Sequence, residues 1–264
     1  MQRIAIFGIT GRMGQALLPA LLDTGRFQLS GAIASPGSAR LGKEAAAEGE
    51  PTGVLVTCDA EAGIRDAAVA VDFSLGAFVA QHAQACARAG VPLLIGATGV
   101  EAAARRHLEE AAKAIPVLMA PNTSVGVSVV AGLVATAAAR LGTDYDVEIF
   151  DAHHRMKRDA PSGTALALAE AIAAARGQNL ADVAAFERTA RAGPRVPGSI
   201  GFSSLRAGDI VGEHTVTFAA AGERIEITHR ATDRIMFARG ALRAAEWLVG
   251  RPAGLYGMTD VLAP

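Results

Sequence analysis

The first half of the chain alternates short apolar runs with longer segments in which apolar residues recur every three or four positions. Short apolar runs are typical of strands buried on both faces of a parallel sheet, and the longer spacing is typical of helices. The predicted strands lie at 4–7, 27–34, 54–57, 69–73, 91–95 and 117–120, and the predicted helices lie at 15–22, 75–89 and 101–114. We interpret the polar segment 43–53 as a loop or a short helix. This alternation predicts an α/β domain built on a parallel sheet.

The pattern changes in the second half of the chain. The predicted elements are a long apolar helix at 125–141, strands at 145–152, 199–206, 214–220 and 224–230, helices at 164–176 and 237–249, and a basic loop at 177–197 that contains Arg188, Arg191 and Arg195. The last two strands alternate apolar and polar residues, as expected for an antiparallel sheet with one solvated face. The final helix is expected to return to the first domain. We therefore predict a second, α+β domain with an open mixed sheet.

A glycine-rich turn joins the first predicted strand to the first predicted helix. It has the sequence GITGRMG from Gly8 to Gly14, and a glycine turn between a strand and a helix is the context of a dinucleotide-binding fingerprint. Gly8 permits the tight turn, Gly11 lets the backbone approach a pyrophosphate, and Gly14 allows close helix–strand packing. The loops GATG at 96–99 and APNTS at 120–124 lie at carboxyl ends of predicted strands, where such sheets bind ligands. These motifs predict a Rossmann-like, dinucleotide-binding domain.

The end of the second predicted strand bears on cofactor choice. Dinucleotide enzymes often place an acidic residue there to bind the ribose 2′-hydroxyl, whereas this chain has Ala34 and Ser35. Because no carboxylate would repel a 2′-phosphate, NADP is permitted, and Arg12 or Arg40 could face that phosphate. The residues therefore leave both NADH and NADPH open, with NADPH expected to serve at least as well.

The most informative stretch of the second domain is DAHHRMKRDAPSGT, from Asp151 to Thr164. Ser162 follows a proline and is a favourable N-cap for the helix behind it, so the first N–H groups of that helix should form an anion site. His153, His154 and Lys157 add proton donors and positive charge just upstream. The combination predicts a pocket that binds an acidic substrate and delivers a proton to it.

Composition excludes several other classes of function. The formal net charge is −1, which gives no electrostatic basis for binding nucleic acid or an anionic membrane. The two cysteines, Cys58 and Cys86, lack metal-ligand spacing and indicate buried thiols of a reducing compartment. The most apolar run, 125–139, is interrupted by small polar residues and is shorter than the ~20 residues of a membrane span. We expect a cytoplasmic protein with no membrane partner.

Taken together, these motifs resemble the dihydrodipicolinate reductase (4-hydroxy-tetrahydrodipicolinate reductase) family of the diaminopimelate and lysine pathway. The similar segments run in order over nearly the whole chain: GITGRMG, GATG, PNTSVGV, AHHRMKRDAPSGTA, RVPGSIGF and RAGDIVGEHTVTF. The fourth is highly specific, whereas the glycine fingerprint alone fits many nucleotide-binding proteins. The resemblance implies residues 1–124 and 235–264 as the dinucleotide-binding domain and 125–234 as the domain for substrate binding and oligomerisation. Members are typically homotetramers formed through the sheet of that second domain.

Site residues follow from the resemblance position by position. His153 resembles the catalytic histidine and Lys157 the proton donor of the family. The implied substrate-binding residues are His154, Ser162, Gly163 and Thr164. The implied cofactor-binding residues are Gly8, Ile9, Thr10, Gly11, Arg12, Met13, Gly96, Ala97, Thr98, Ala120, Pro121, Asn122 and Thr123. The chain departs from the family at Met156, where histidine is frequent, and at Ala34, where an acid is common.

The implied reaction is the reduction of a small dicarboxylate, in which a reduced nicotinamide gives hydride to a conjugated imine and a lysine or histidine supplies a proton. The residues do not decide between His153 and Lys157 as the final donor. The sequence disfavours three alternative functions. Another two-domain nicotinamide reductase is disfavoured by the His-His-x-x-Lys turn with PSGT, and a nucleotide-sensing regulator by the lack of a basic helix or extra domain. A metal enzyme is disfavoured because two adjacent histidines need further ligands, and the sequence shows no suitable set.

Overall fold

The computed structural model describes residues 1–47, 49–187 and 193–263, and it divides the chain into two compact units. The first unit comprises Met1–Val125 and Ile235–Pro264, and the second comprises Gly126–Arg234. Arg188 and Arg191 of the predicted basic loop lie outside the described residues. In those three ranges, no helix combines the length and hydropathy that a membrane span requires.

The elements of the described residues are as follows. The strands are β1 (Gln2–Phe7), β2 (Phe27–Ile33), β3 (Glu44–Ala47), β4 (Glu50–Thr57), β5 (Val69–Asp72), β6 (Leu93–Ile95), β7 (Pro116–Met119), β8 (Asp146–His153), β9 (Ala184–Ala185), β10 (Ile200–Arg206), β11 (Gly212–Ala220), β12 (Glu223–Ala231) and β13 (Gly254–Tyr256). The helices are α1 (Arg12–Thr24), α2 (Ala60–Ile64), α3 (Val79–Ala89), α4 (Ala102–Ala111), α5 (Val125–Leu141), α6 (Gly163–Ala175), α7 (Leu180–Val183), α8 (Ile235–Leu248) and α9 (Met258–Val261). A 3-10 turn, Gly76–Phe78, precedes α3.

The first unit is built on one sheet with strand order β13-β7-β6-β5-β1-β2-β4-β3. Its pairings are parallel except for β3 with β4. Successive residues of β1 face opposite sides of the sheet: Ile4 and Ile6 pack in the hydrophobic cluster that includes α1 and α8, whereas Ala5 and Phe7 pack in the cluster that includes α3 and α4. The sheet is therefore covered on both faces, and the predicted Rossmann-like α/β fold is confirmed.

The prediction for segment 43–53 was wrong. The described part of this segment contributes to an antiparallel hairpin of β3 and β4, and β4 pairs in parallel with β2. Its residues have low intrinsic strand preference, so pairing with the neighbouring strand overrides the local pattern. The hydroxyl of Thr52 also donates a hydrogen bond to the Ala45 carbonyl at 2.6 Å. The short elements α2, β13 and α9 were not predicted either, because each is too brief to show a period.

The second unit is an open mixed sheet with strand order β12-β11-β8-β10-β9. Strand β11 is antiparallel to both of its neighbours, and β10 is parallel to both of its neighbours. One face of this sheet packs on α5 and α6. The hydrophobic cluster between them includes Val134, Val147, Ile149, Leu168, Ile172, Val216 and Phe218. The predicted open mixed sheet is confirmed.

The register of this sheet determines which polar side chains lie together. Asp151 and His153 of β8 project from the same face as Val147 and Ile149, since alternate residues of a strand share a face. Asp151 is paired with Ser204 of β10 and with His214 of β11, and Arg206 is paired with His153. The apolar core face therefore becomes polar toward the carboxyl end of β8.

Candidate active site and cofactor-binding cavities

The glycine turn after β1 has the close packing that the fingerprint requires. Gly8 has a φ of 75°, and its N–H and that of Ile9 both donate hydrogen bonds to the Ile33 carbonyl of β2. A Cβ atom added to Gly14 would lie 2.4 Å from the carbonyl oxygen of Gly8, so a larger residue would force α1 away from the turn. The turn therefore brings backbone N–H groups and the N-terminus of α1 to the carboxyl end of the sheet, as an anion site requires.

Two cavities lie along the carboxyl ends of the first unit's strands. One, of about 250 Å³, is lined by Gly8, Thr10, Gly11, Ala34, Ser35 and His82, among others. The other, of about 430 Å³, is lined by Arg12, Met13, Gly96, Ala97, Thr98, Pro121, Asn122 and Thr123, among others. Phe73, Ser74 and Leu75 line both cavities, so the two adjoin. Together they form an extended site beside the glycine turn, which fits a dinucleotide.

Four of the implied cofactor-binding residues have buried side chains, namely Ile9, Ala97, Ala120 and Thr123. Ile9 and Ala120 are 1% and 2% exposed and pack in the hydrophobic core, so only their backbone groups are available to a cofactor. Arg12, which was expected to face a ribose phosphate together with Ser35, lines the other cavity. Arg40 lines neither cavity, and its guanidinium donates to the Glu44 carbonyl at 3.3 Å. Neither arginine is among the residues that line the smaller cavity with Ser35.

A buried carboxylate at the end of β5 was not identified from the sequence. Asp72 is fully buried; its Oδ1 accepts from the Ser74 N–H at 2.8 Å, and its Oδ2 lies 2.8 Å from Nδ1 of His82. The His82 ring also stacks on Phe7 with ring centroids 4.1 Å apart. Of this pair, His82 lines the smaller cavity.

In the second unit, β8 ends at His153 with a buried ionic cluster. Oδ2 of Asp151 lies 2.9 Å from Nδ1 of His153 and 3.0 Å from Nη1 of Arg206, and Ser204 Oγ donates to Oδ1 at 2.5 Å. Burial alone would raise the pKa of Asp151, but the hydrogen bonds from His153 and Ser204 and the charge of Arg206 lower it to about 2. Asp151 is therefore a carboxylate at neutral pH, fixed against the His153 ring.

The residues after β8 form the PSGT turn and begin α6 as predicted. Ser162 is the N-cap, and its Oγ accepts from the Ala165 N–H at 3.1 Å. Gly163 is exposed and Thr164 half-buried in the first turn of α6. The same Ser162 Oγ lies 2.9 Å from Nε2 of His214, a residue of β11 that was not predicted as a site residue from the sequence. The helix terminus is thus anchored directly to the sheet that carries the histidine.

Lys157 lies in the loop between β8 and α6 and is largely covered. Its side chain is 21% exposed, and its Nζ lies 2.7 Å from Oδ2 of Asp159. The Lys157 N–H donates to the His154 carbonyl at 3.0 Å, and Arg206 Nη2 donates to the Asp159 carbonyl at 2.7 Å, so the loop is tied to β10. Burial raises the pKa of Asp159, but the hydrogen bond and charge of Lys157, a backbone hydrogen bond and the charge of Arg206 together lower it. His154 is half-buried and Met156 is 77% exposed.

His214 completes a close group of three possible metal ligands that the sequence did not show. One ligand atom from each of Asp151, His153 and His214 lies within 4.8 Å of the others. The rings of the two histidines are in an edge-to-face arrangement with centroids 5.2 Å apart. However, the Arg206 guanidinium contacts the Asp151 carboxylate, and a bound cation would have to displace or repel it. We therefore interpret the group as a hydrogen-bonded and ionic cluster.

Comparisons with known proteins cover the whole chain. Family models described as the dihydrodipicolinate reductase N-terminus and C-terminus match residues 2–123 and 126–262, respectively. A 4-hydroxy-tetrahydrodipicolinate reductase from Anaeromyxobacter dehalogenans (strain 2CP-1) is 50% identical, with 99% of this chain and 98% of the relative covered. One from Thiobacillus denitrificans is 49% identical, with 98% of each chain covered.

A solved structure extends the agreement to the fold. A dipicolinate-bound dihydrodipicolinate reductase from Paenisporosarcina sp. TG-14 has a TM-score of 0.78 and 23% identity, with 99% of this chain and 100% of that chain covered. At this identity the likeness concerns the fold, while the family models and the relatives near 50% identity establish ancestry. On these grounds the chain belongs to the dihydrodipicolinate reductase family.

Proposed function

We propose that this chain catalyses the reduction of 4-hydroxy-tetrahydrodipicolinate to tetrahydrodipicolinate with NADH or NADPH, in the diaminopimelate and lysine pathway. The relatives near 50% identity carry the name of this activity over their full length. The structural observation that carries the proposal is the position of His153: it is buried against Asp151, and through His214 it is linked to the capped N-terminus of α6. A proton-transfer group thus stands beside an anion site, as a carboxylate substrate requires.

The second unit would hold the substrate by its carboxylates. The N-terminus of α6 supplies Gly163 and Thr164, whose N–H groups lie in the first helical turn and favour a negative charge. His154 and Lys157 would contribute hydrogen bonds and positive charge to the same ligand. The ion pair between Lys157 and Asp159 holds the ammonium in the loop before α6, so it needs little reorganisation when the substrate binds.

The proton required after hydride transfer would come from His153 or Lys157. The reduced nicotinamide supplies the hydride, and the protein residues bind, orient and protonate the ring that receives it. The Asp151 carboxylate lies 2.9 Å from Nδ1 of His153. Because Nδ1 faces this carboxylate, Nε2 is the nitrogen left to present a proton to the substrate. Lys157 remains the alternative donor.

The first unit would hold the nicotinamide cofactor in its two adjoining cavities, and we expect NADPH to serve at least as well as NADH. The support for this preference is the end of β2, where Ala34 and Ser35 line the smaller cavity in place of the usual carboxylate. Arg12 lines the larger cavity and is not among the residues that line the smaller one. Its charge would instead favour the phosphates that both cofactors share.

We also propose a homotetramer formed through the outer face of the second unit's sheet. Phe150 and Leu205 project from this face and are 39% and 43% exposed. Beside them, the Thr215 and Thr228 hydroxyls form a cross-strand pair with oxygens 3.0 Å apart. A β-rich surface with exposed large apolar side chains favours self-association. Phe150→Lys should convert the tetramer to smaller species in sedimentation velocity, and an unchanged sedimentation coefficient would contradict this interface.

The direct test of the proposed activity is oxidation of NADPH and NADH, followed by absorbance, with freshly generated 4-hydroxy-tetrahydrodipicolinate. Cofactor oxidation that depends on this substrate is expected, and its product should be identified by mass spectrometry. Small keto acids and aldehydes serve as control substrates, because another two-domain nicotinamide reductase would prefer one of them. Turnover of a control substrate alone would contradict the proposal.

A further inference from the structure

His214 is a buried histidine whose hydrogen bond to Ser162 bears on the direction of the Ser162 hydroxyl proton. It is 4% exposed, lies on β11 and is paired across the sheet with Asp151. Its Nε2 lies 2.9 Å from Ser162 Oγ, while its Nδ1 is buried with no hydrogen-bond partner among the described residues. Burial, together with the neighbouring charge of His153, lowers the pKa of His214 to about 4. His214 is therefore a neutral imidazole with one N–H at neutral pH.

The position of that single proton follows from the two nitrogen environments. If Nδ1 carried it, a buried N–H donor would be left without an acceptor, which is rarer in proteins than an unpaired acceptor. If Nε2 carries it, the N–H donates to Ser162 Oγ, and Nδ1 is left as an acceptor whose lone pair has no donor. The second tautomer leaves the smaller penalty, so Nε2–H is favoured.

The tautomer in turn fixes the hydroxyl proton of Ser162. A serine oxygen accepts up to two hydrogen bonds and donates one. Ser162 Oγ already accepts from the Ala165 N–H at 3.1 Å, and Nε2–H of His214 supplies the second bond. With both acceptor positions occupied, the O–H is committed to a third partner. The anion site at the start of α6 offers that partner when a carboxylate is bound, and such a bond to a charged oxygen is strong.

We propose that His214 is a positioning residue for substrate binding: it donates Nε2–H to Ser162 and so directs the Ser162 hydroxyl proton to a carboxylate oxygen of the substrate. This inference rests on the proposed function, because it assumes an acidic substrate at the start of α6. It assigns His214 no contact with the reacting atoms. It also explains why a histidine lies on the buried face of β11, between Gly212 and Val216 on that face.

The test measures binding of pyridine-2,6-dicarboxylate to the full-length protein by calorimetry. His214→Leu removes the donor, His214→Gln places an amide N–H near the Nε2 position, and Ser162→Gly removes the hydroxyl at a position where glycine is a tolerated cap. His214→Leu and Ser162→Gly should each weaken binding by about tenfold or more, the scale of a hydrogen bond to a charged group. His214→Gln should restore binding to within about threefold of the wild type, and the double variant His214→Leu/Ser162→Gly should bind no more weakly than either single variant.

Several results would overturn the inference. Additive losses in the double variant would show that His214 acts independently of Ser162, and equal losses for His214→Gln and His214→Leu would show that no donor is needed at Nε2. Nitrogen-15 NMR of histidine-labelled protein gives a separate readout: the His214 signals, assigned by their loss in His214→Gln, should report Nε2–H, and Nδ1–H would contradict the proposal. NADPH binding to each variant shows that the first unit is folded.

The outcome for this inference is distinguishable from that for the proposed activity. Coupled binding of pyridine-2,6-dicarboxylate with no turnover of 4-hydroxy-tetrahydrodipicolinate would reject the activity and retain the role of His214. Normal turnover without coupling between His214 and Ser162 would do the reverse. A wild-type protein that does not bind the probe would reject the carboxylate site and the role of His214 with it.

Discussion

The Nδ1 atom of His153 lies 2.9 Å from the Oδ2 atom of Asp151, two residues earlier on the same buried face of β8. Because Arg206 and Ser204 also bind this carboxylate, the anion is held in place on three sides. The arrangement makes the orientation of His153 a property of the sheet, since these three partners of Asp151 are contributed by β8 and by the paired strand β10.

Asp151→Asn should lower turnover by about 10- to 100-fold, the usual effect of removing a partner that orients a functional side chain. The amide would place no charge beside the His153 ring and would not hold the ring as the carboxylate does. Steady-state kinetics across a pH series checks the prediction, because the acid limb of the profile should also move. Ser204→Ala, which removes only one partner of the carboxylate, is the control and should have the smaller effect. Equal turnover in Asp151→Asn and the wild type would rule out a role for the pair.

His153→Ala and Lys157→Ala should each lower turnover by ~10²–10³-fold, the scale of losing a positioned general acid. NADPH binding should be unchanged in both, because the cofactor is expected on the other unit. The controls are His107→Ala and Lys113→Ala, at exposed positions of the first unit. Single-turnover rates with each variant would show which residue is the donor. Near-normal rates in both variants would refute the assignment.

Thr164→Val should raise the substrate KM more than it alters the KM for NADPH. The change removes one hydroxyl beside the first N–H groups of α6 and keeps the size of the side chain. A hydrogen bond to a charged group contributes roughly 1.5–3 kcal/mol, which corresponds to a tenfold to hundredfold change in affinity. Thr143→Val, in the loop after α5, provides a control with the same chemical change. If the substrate KM stayed at its wild-type value, the helix-end carboxylate site would be wrong.

Stability should fall as the pH is lowered from about 6.5 to about 4, partly because of His214. The pKa of a histidine in the unfolded chain is about 6.5, whereas burial and the charge of His153 lower the pKa of folded His214 to about 4. Over this window the unfolded chain binds a proton that the folded chain does not, so the free energy of unfolding decreases with decreasing pH. His214→Gln should flatten this dependence, measured as Tm against pH, relative to the wild type and to the exposed-site control His107→Gln. Parallel curves for all three proteins would show that His214 does not contribute.

Ala34→Glu should shift the preference toward NADH by lowering kcat/KM for NADPH, because the new carboxylate would repel a 2′-phosphate and accept from a ribose hydroxyl. Arg12→Ala should weaken both cofactors to a similar extent, since Arg12 lines the larger cavity and not the one that contains Ala34. If Arg12 instead faced the 2′-phosphate, as the sequence permits, its loss would shift the preference away from NADPH. Arg40→Ala is the control from outside both cavities. A selective loss of NADPH in Arg12→Ala would restore the earlier assignment.

Much of the fold could be predicted from local pattern. The apolar runs that became β5 and β6 are buried on every residue, and the long helix α5 has the bounds 125–141 that its pattern predicted. Gly14 could be interpreted correctly because its role depends only on the adjacent strand and helix. These features succeed for one reason, which is that their determinants lie within about one element of the residue concerned.

The rest of the candidate site depends on strand pairing, and a sequence alone does not give its register. Asp151 and His214 are cross-strand neighbours, yet neither was predicted as a site residue, because the motif DAHHRMKRDAPSGT relates only residues that are close in sequence. The one available signal was polar residues at core-facing positions of strands that otherwise alternate, namely Asp151 and His214. That Arg12 and Ser35 line different cavities likewise depends on the path of the chain around the glycine turn. The prediction for segment 43–53 was wrong because its strands form by pairing with each other and with β2, which the local pattern does not show.

The strand register that brings Asp151, Ser204 and His214 together also determines when the site can form during synthesis and folding of the chain. Ser204 is 53 residues beyond Asp151 in the chain, and His214 is 52 residues beyond Ser162. A nascent chain that has emerged as far as α6 therefore carries the whole DAHHRMKRDAPSGT motif but lacks the strands that orient it. Recognition of a dicarboxylate can begin only after β10 and β11 have been synthesised and have paired with β8. Ligand binding would thus report completed assembly of the second unit, because a shorter chain contains the motif residues but lacks the strands β10 and β11 that orient them.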